Sequence, residues 1–110
     1  MLWEIEYYNQ TVERAILRLP SGLLARYLRL ADLMIEFGPH LGMPHTRALR
    51  DGLLELRVKG QGGIVRVFYC TVLPRRIVML HVFIKKSQKT PRKELDIALR
   101  RLQEVLRHDP

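Results

Sequence analysis

From Leu53 to Ile84 the chain is a nearly unbroken series of strand-forming residues, interrupted by only two short turn signals. Leu53 to Lys59 alternates, with Leu54, Leu56 and Val58 on one side and Glu55, Arg57 and Lys59 on the other. That is the period of a strand with two unlike faces. Gln61-Gly62-Gly63 reads as a hairpin turn. Ile64 to Leu73 is β-branched and aromatic, and Pro74-Arg75 turns the chain again. Arg76 to Ile84 is the most hydrophobic of the three runs, which predicts a central strand. Turns this short tie the runs into a meander, and the rest of the chain must pack against it.

The flanks have a different period. Leu2 to Tyr8 is short, aromatic and alternating, and predicts one more strand. Val12, Ala15, Ile16 and Leu19 fall on one face of a helix over Thr11 to Leu19, with Asn9 or Thr11 as its cap. Pro20-Ser21-Gly22 ends it. A second helix runs from Leu23 to Phe37, with a buried stripe of Leu24, Tyr27, Leu28, Ala31, Met34 and Ile35, and stops at Gly38-Pro39. The tight junction predicts an antiparallel helical hairpin. Pro39 to Asp51 reads as a loop. A last helix starts at Thr90-Pro91 and carries Leu95, Ala98, Leu99, Leu102 and Leu106 on one face. The order is β-α-α-β-β-β-α, an α+β domain spanning residues 1–110.

Composition narrows the function classes. Nineteen lysines and arginines stand against eleven acids, a net charge of +8. A small domain this basic meets a polyanion, and nucleic acid is the commonest inside a cell. The single cysteine, Cys70, sits in an apolar run and reads as a buried structural thiol, which suits a reducing cytoplasm. No stretch is long and apolar enough for a membrane span, and the N-terminal residues do not resemble a signal peptide, so a cytoplasmic protein is expected. The four histidines are scattered, so no metal site and no cofactor are expected.

The candidate chemistry lies in cations set within strands. Arg57 and Lys59 share a face, Arg66 interrupts the apolar run after Ile64, and Lys85 and Lys86 follow Phe83-Ile84. Neighbouring strands can bring them onto one surface. Fixed guanidinium and ammonium groups there would stabilise the charge that builds up when a 2′-hydroxyl attacks its adjacent phosphate. Each has a plainer reading. Arg66 could pair with Glu55, and His81, between Leu80 and Val82, could be a satisfied core histidine. His40 and His45 read as loop surface.

Three blocks carry a resemblance. Asp51-Gly52-Leu53-Leu54-Glu55-Leu56-Arg57, Ile64-Val65-Arg66-Val67-Phe68-Tyr69, and Leu80 through Pro91 with its Lys85-Lys86 pair resemble segments of HigB-type toxins of the RelE/ParE superfamily, in the same order and separation. Glu94, Ala98 and Arg101 fit the family's last helix. The resemblance implies a curved antiparallel sheet packed against a helical hairpin. It also implies a metal-independent, ribosome-dependent endoribonuclease acting on mRNA, and a cognate helix-turn-helix antitoxin. It puts Arg57, Arg66, Lys85 and Lys86 in the catalytic surface; His81 is a further catalytic candidate, and Lys59, Lys89, Arg47 and Arg50 are candidate RNA contacts. Members of the superfamily that target DNA gyrase, or a relic that only binds nucleic acid, are the alternatives. Several members place a tyrosine or a histidine–aspartate pair near the C-terminal end. Here no tyrosine follows Tyr69, and His108-Asp109 close the chain, which leaves His81 and Lys85 as the groups to exchange a proton.

Overall fold

A computed structural model describes residues 1–85 and 89–108. The elements run β1 (Glu4–Tyr7), α1 (Gln10–Leu17), α2 (Ser21–Phe37), β2 (Thr46–Ala48), β3 (Leu54–Gly60), β4 (Gly63–Val72), β5 (Arg76–Lys85) and α3 (Arg92–His108). The strands form one sheet in the order β1-β5-β4-β3-β2. The α+β class and the meander β3-β4-β5 are as the sequence predicts.

Three details differ. The sheet is mixed, because β1 pairs parallel with β5 while the other pairs are antiparallel. Two helices separate β1 from the meander, so no hairpin turn forces β1 to run against β5. Within the expected loop, Thr46–Ala48 adds a short edge strand against Leu54–Leu56. Three residues are too few to show a period. The third difference is the face that α2 buries. It is Leu23, Tyr27, Leu30, Ala31 and Met34; Leu28 is exposed, and Leu24 and Ile35 are only half-buried. Likewise α1 buries Val12 and Ile16 and leaves Ala15 exposed. Apolar residues all round α2 define no unique stripe, so contact with the sheet selects one.

Local signals act where expected. Asn9 caps α1, accepting a hydrogen bond from the Val12 amide at 2.9 Å. Gly38 ends α2 at φ 98°, and a Cβ there would lie 3.3 Å from the Trp3 ring nitrogen. Both conditions call for glycine.

Helices cover the sheet unequally. One face carries Leu54, Leu56, Val58, Val65, Val67, Tyr69, Ile77 and Met79, packed under α1 and α2. The other carries Leu53, Phe68, Cys70, Val72, Val78 and Leu80, packed under Ala98 and Leu102 of α3. Cys70 is buried as expected. With both faces covered, β4 and β5 read as continuous apolar runs rather than alternating ones.

A bulge decides which residues reach the uncovered part of the α3 face. Tyr69 pairs with Met79, but Phe68 pairs with His81, so Leu80 is the extra residue. Up to Leu80 the even-numbered residues of β5 face α3. After it the odd-numbered ones do, and His81, Phe83 and Lys85 share a face with Phe68, Arg66 and Ile64. Arg101 of α3 donates to the carbonyl of Leu80 at 2.7 Å and lies over the Tyr8 ring at 4.7 Å.

Candidate functional site

Beyond the end of α3 the sheet presents three cross-strand rows. The first is Arg47, Glu55, Phe68 and His81; the second Arg57, Arg66 and Phe83; the third Lys59, Ile64 and Lys85. The structure therefore brings Arg47, Arg57, Lys59, Arg66, His81 and Lys85 onto one face.

At its centre is a carboxylate. Glu55 is 0% exposed, and its Oε1 accepts from Arg66 at 2.7 Å and from Arg47 at 2.9 Å. The ion pair of Arg66 with Glu55 is thus present, and Arg66 is buried with it. Hydrogen bonds of this charge-assisted kind fix the direction of a guanidinium. Among the described residues, three atoms around this pair are buried without a hydrogen-bond partner: Oε2 of Glu55 and the Nε atoms of Arg57 and Arg66. Unsatisfied buried donors are rare and costly. Arg57 stands directly opposite Arg66, a like-charge pairing that destabilises a sheet. One buried carboxylate cannot compensate this many cations.

Lys85 feels the crowding. Desolvation holds its ammonium below the usual lysine value, and Arg66 pushes it down further. The Glu55 carboxylate works the other way, and Arg47 and Arg57 add to the depression.

The remaining predicted residues lie at the margins or outside. His81 Nε2 is 3.0 Å from Glu94 at the start of α3, and its ring stacks against Phe83. That is the satisfied histidine of the plainer reading, at the border of the cationic face. Arg50 is exposed and pairs with Asp51 beside it at 3.1 Å, outside the three rows. Lys89 is exposed just before α3, and Lys86 lies outside the described residues. His108 lies by Glu6 and Arg76 near the β1 edge, so it cannot serve this face. Tyr69 cannot replace a missing tyrosine either. It is buried on the α1/α2 face, donates to the Pro39 carbonyl at 2.5 Å, and burial pushes its phenol up to about 12.

Two further residues border the cationic face. Arg26 of α2 donates from Nε to the carbonyl of Lys59 at 3.0 Å. His45, read as loop surface, borders a recess with Arg57 and Lys59, and its carbonyl accepts the Arg57 amide at 2.8 Å. Neither belongs to a periodic segment that points at the site, so no sequence signal marked them. Among the described residues, no three His, Cys, Asp or Glu side chains converge as a metal site would require, and no helix is long and apolar enough to cross a membrane.

Residues 14–103 match the family described as phage-derived protein Gp49-like (DUF891). No curated protein matches the chain.

Proposed function

This chain belongs to the Gp49-like family of phage-derived proteins, and on that premise we propose that it is the toxin of a toxin–antitoxin pair, of the RelE-like kind and the HigB-type branch, which cleaves translated mRNA. The observation that carries this reading is the pair of facing arginines, Arg57 and Arg66, whose Nε donors have no acceptor among the described residues. A phosphodiester would bring further acceptors to this charged pair, and guanidinium groups match its geometry.

The chemistry follows from the placement. The RNA phosphate sits on Arg57 and Arg66, with Lys59 and Arg47 holding the flanking strand. The 2′-oxygen forms a bond to phosphorus while the bond to the 5′-oxygen breaks, leaving a 2′,3′-cyclic phosphate and a 5′-oxygen that takes a proton from water to become a hydroxyl. Lys85 is the group best suited to accept the 2′-proton, because its depressed pKa gives a neutral amine more readily than ordinary lysine does. His81 is less suited, since Nε2 is already engaged with Glu94. The arginines stabilise the negative charge that grows on the phosphoryl oxygens. The ribosome and its message are the substrate context, and the partner is a helix-turn-helix antitoxin whose acidic segment would cover the cationic face.

Expression of the chain alone in a bacterial host tests the reading. Growth should stop, and primer extension on a translated message should show new 5′ ends. Arrest without new ends would favour a gyrase-directed toxin on the same scaffold. Normal growth with folded protein present would remove the toxin reading.

A further inference from the structure

We propose that the recess at the end of β2 receives one unstacked base of the RNA, next to the phosphate held by Arg57; this rests on the RNA-cleaving reading above. The recess holds about 210 Å³ and is lined by Arg26, Leu30, Pro44, His45, Arg57 and Lys59.

Its origin is the shortness of β2. The last residue of β3 paired to β2 is Leu56, opposite Thr46, and the Arg57 amide makes one more bond to the His45 carbonyl. β3 then continues to Gly60 with no strand on that side, and Arg26 satisfies the Lys59 carbonyl from α2. The sheet edge is therefore interrupted between His45 and Arg26, with Leu30 of α2 behind the gap. This interruption also keeps the edge from pairing with another chain.

The lining suits a heterocycle. Leu30 and Pro44 are apolar, whereas the imidazole of His45 and the guanidinium groups of Arg26 and Arg57 are planar and polar at their edges. A nucleobase has the same division, with an apolar face and a polar rim, and bases taken out of a stack rest on such side chains. The size decides between ligands. The recess is smaller than the roughly 300–1,000 Å³ clefts that hold whole small molecules. A free phosphate would have no use for Leu30 and Pro44. Arg57 belongs both to this recess and to the facing pair with Arg66, so a base here would be joined to a phosphate there by its own sugar.

Cut-site profiling on a translated message, with the parent, His45→Ala and His45→Phe, tests the proposal. His45 is exposed, so both variants should melt as the parent does. The parent should favour a purine at one fixed position beside the cut, since larger bases stack better. His45→Ala should lose that bias and cut about 10-fold more slowly, the scale of one lost stacking partner. His45→Phe, which keeps a ring and loses the imidazole nitrogens, should restore both. Unchanged sites and rates in His45→Ala would overturn the assignment, as would a His45→Phe as defective as the alanine. A parent that makes no cuts would instead bring down the RNA-cleaving reading itself.

Discussion

Arg57 and Arg66 are opposite one another on adjacent strands, yet only Arg66 has the Glu55 carboxylate. This makes the two arginines unequal tools for testing function. Arg66→Ala would strand Glu55 in the interior with Arg47 alone, and breaking a buried pair in this way costs roughly 3–5 kcal/mol. Loss of activity would then be mixed with loss of fold, although Arg66 lies outside the apolar stripes. Arg57 is the cleaner probe. Arg57→Met keeps the aliphatic stem and removes a like charge, so the melting temperature should hold or rise, while cleavage falls on the order of 100-fold. A variant that is more stable and equally active would show that Arg57 takes no part. Glu55 gives a second test through Lys85. If Lys85 accepts the proton as the neutral amine, activity rises with pH as its ammonium deprotonates. Glu55 favours the ammonium, so Glu55→Gln lowers that pKa further, and the rising limb of the pH–rate profile should move to lower pH. A limb that stays in place would separate Lys85 from the observed titration.

At the scale of elements, the bulge at Leu80 matters most. Strict alternation along β5 would put Lys85 on the same face as Met79, under α1 and α2. The extra residue turns it to the face of Arg66 instead. The sequence blocks contain Lys85, but nothing in their period reveals the shift, because Val78 to Ile84 is apolar on both faces except at His81. Arg101 holds the bulge from α3 through the Leu80 carbonyl. Arg101→Ala should cost about 1–3 kcal/mol, the scale of a lost charge-assisted bond to a partly buried carbonyl. It should also lower cleavage more than another destabilising change of similar size, such as Ile16→Val in the core on the opposite face of the sheet. Denaturant melts paired with cleavage rates would show it, and equal losses of activity in the two variants would deny the bulge a role in placing Lys85. The caps and stops were legible from residue type alone. The Asn9 cap and the positive φ of Gly38 satisfy local backbone needs, and the approach of Trp3 to Gly38 adds a tertiary one.

For the whole molecule, the net charge is +8, five of its cations share one sheet face around a single carboxylate, and binding to RNA should weaken steeply with salt as counterions are released. Logarithmic affinity should fall linearly with logarithmic salt in a filter-binding titration, and the slope should shrink by about one on Arg57→Met. A flat response would remove the electrostatic argument. The sequence by itself determined the class of fold, the meander and the helix limits to within a few residues, and it pointed to the strand cations Arg57, Lys59, Arg66 and Lys85 that share one face. These depend on period, turn chemistry and residue type, which are local. Tertiary structure decided the rest: the parallel docking of β1, the face that α2 buries, the sharing of Glu55 between Arg47 and Arg66, and the recess beside His45. Each of these joins residues far apart in the chain, and its energy comes from burial and charge compensation that exist only once the sheet has closed against its helices.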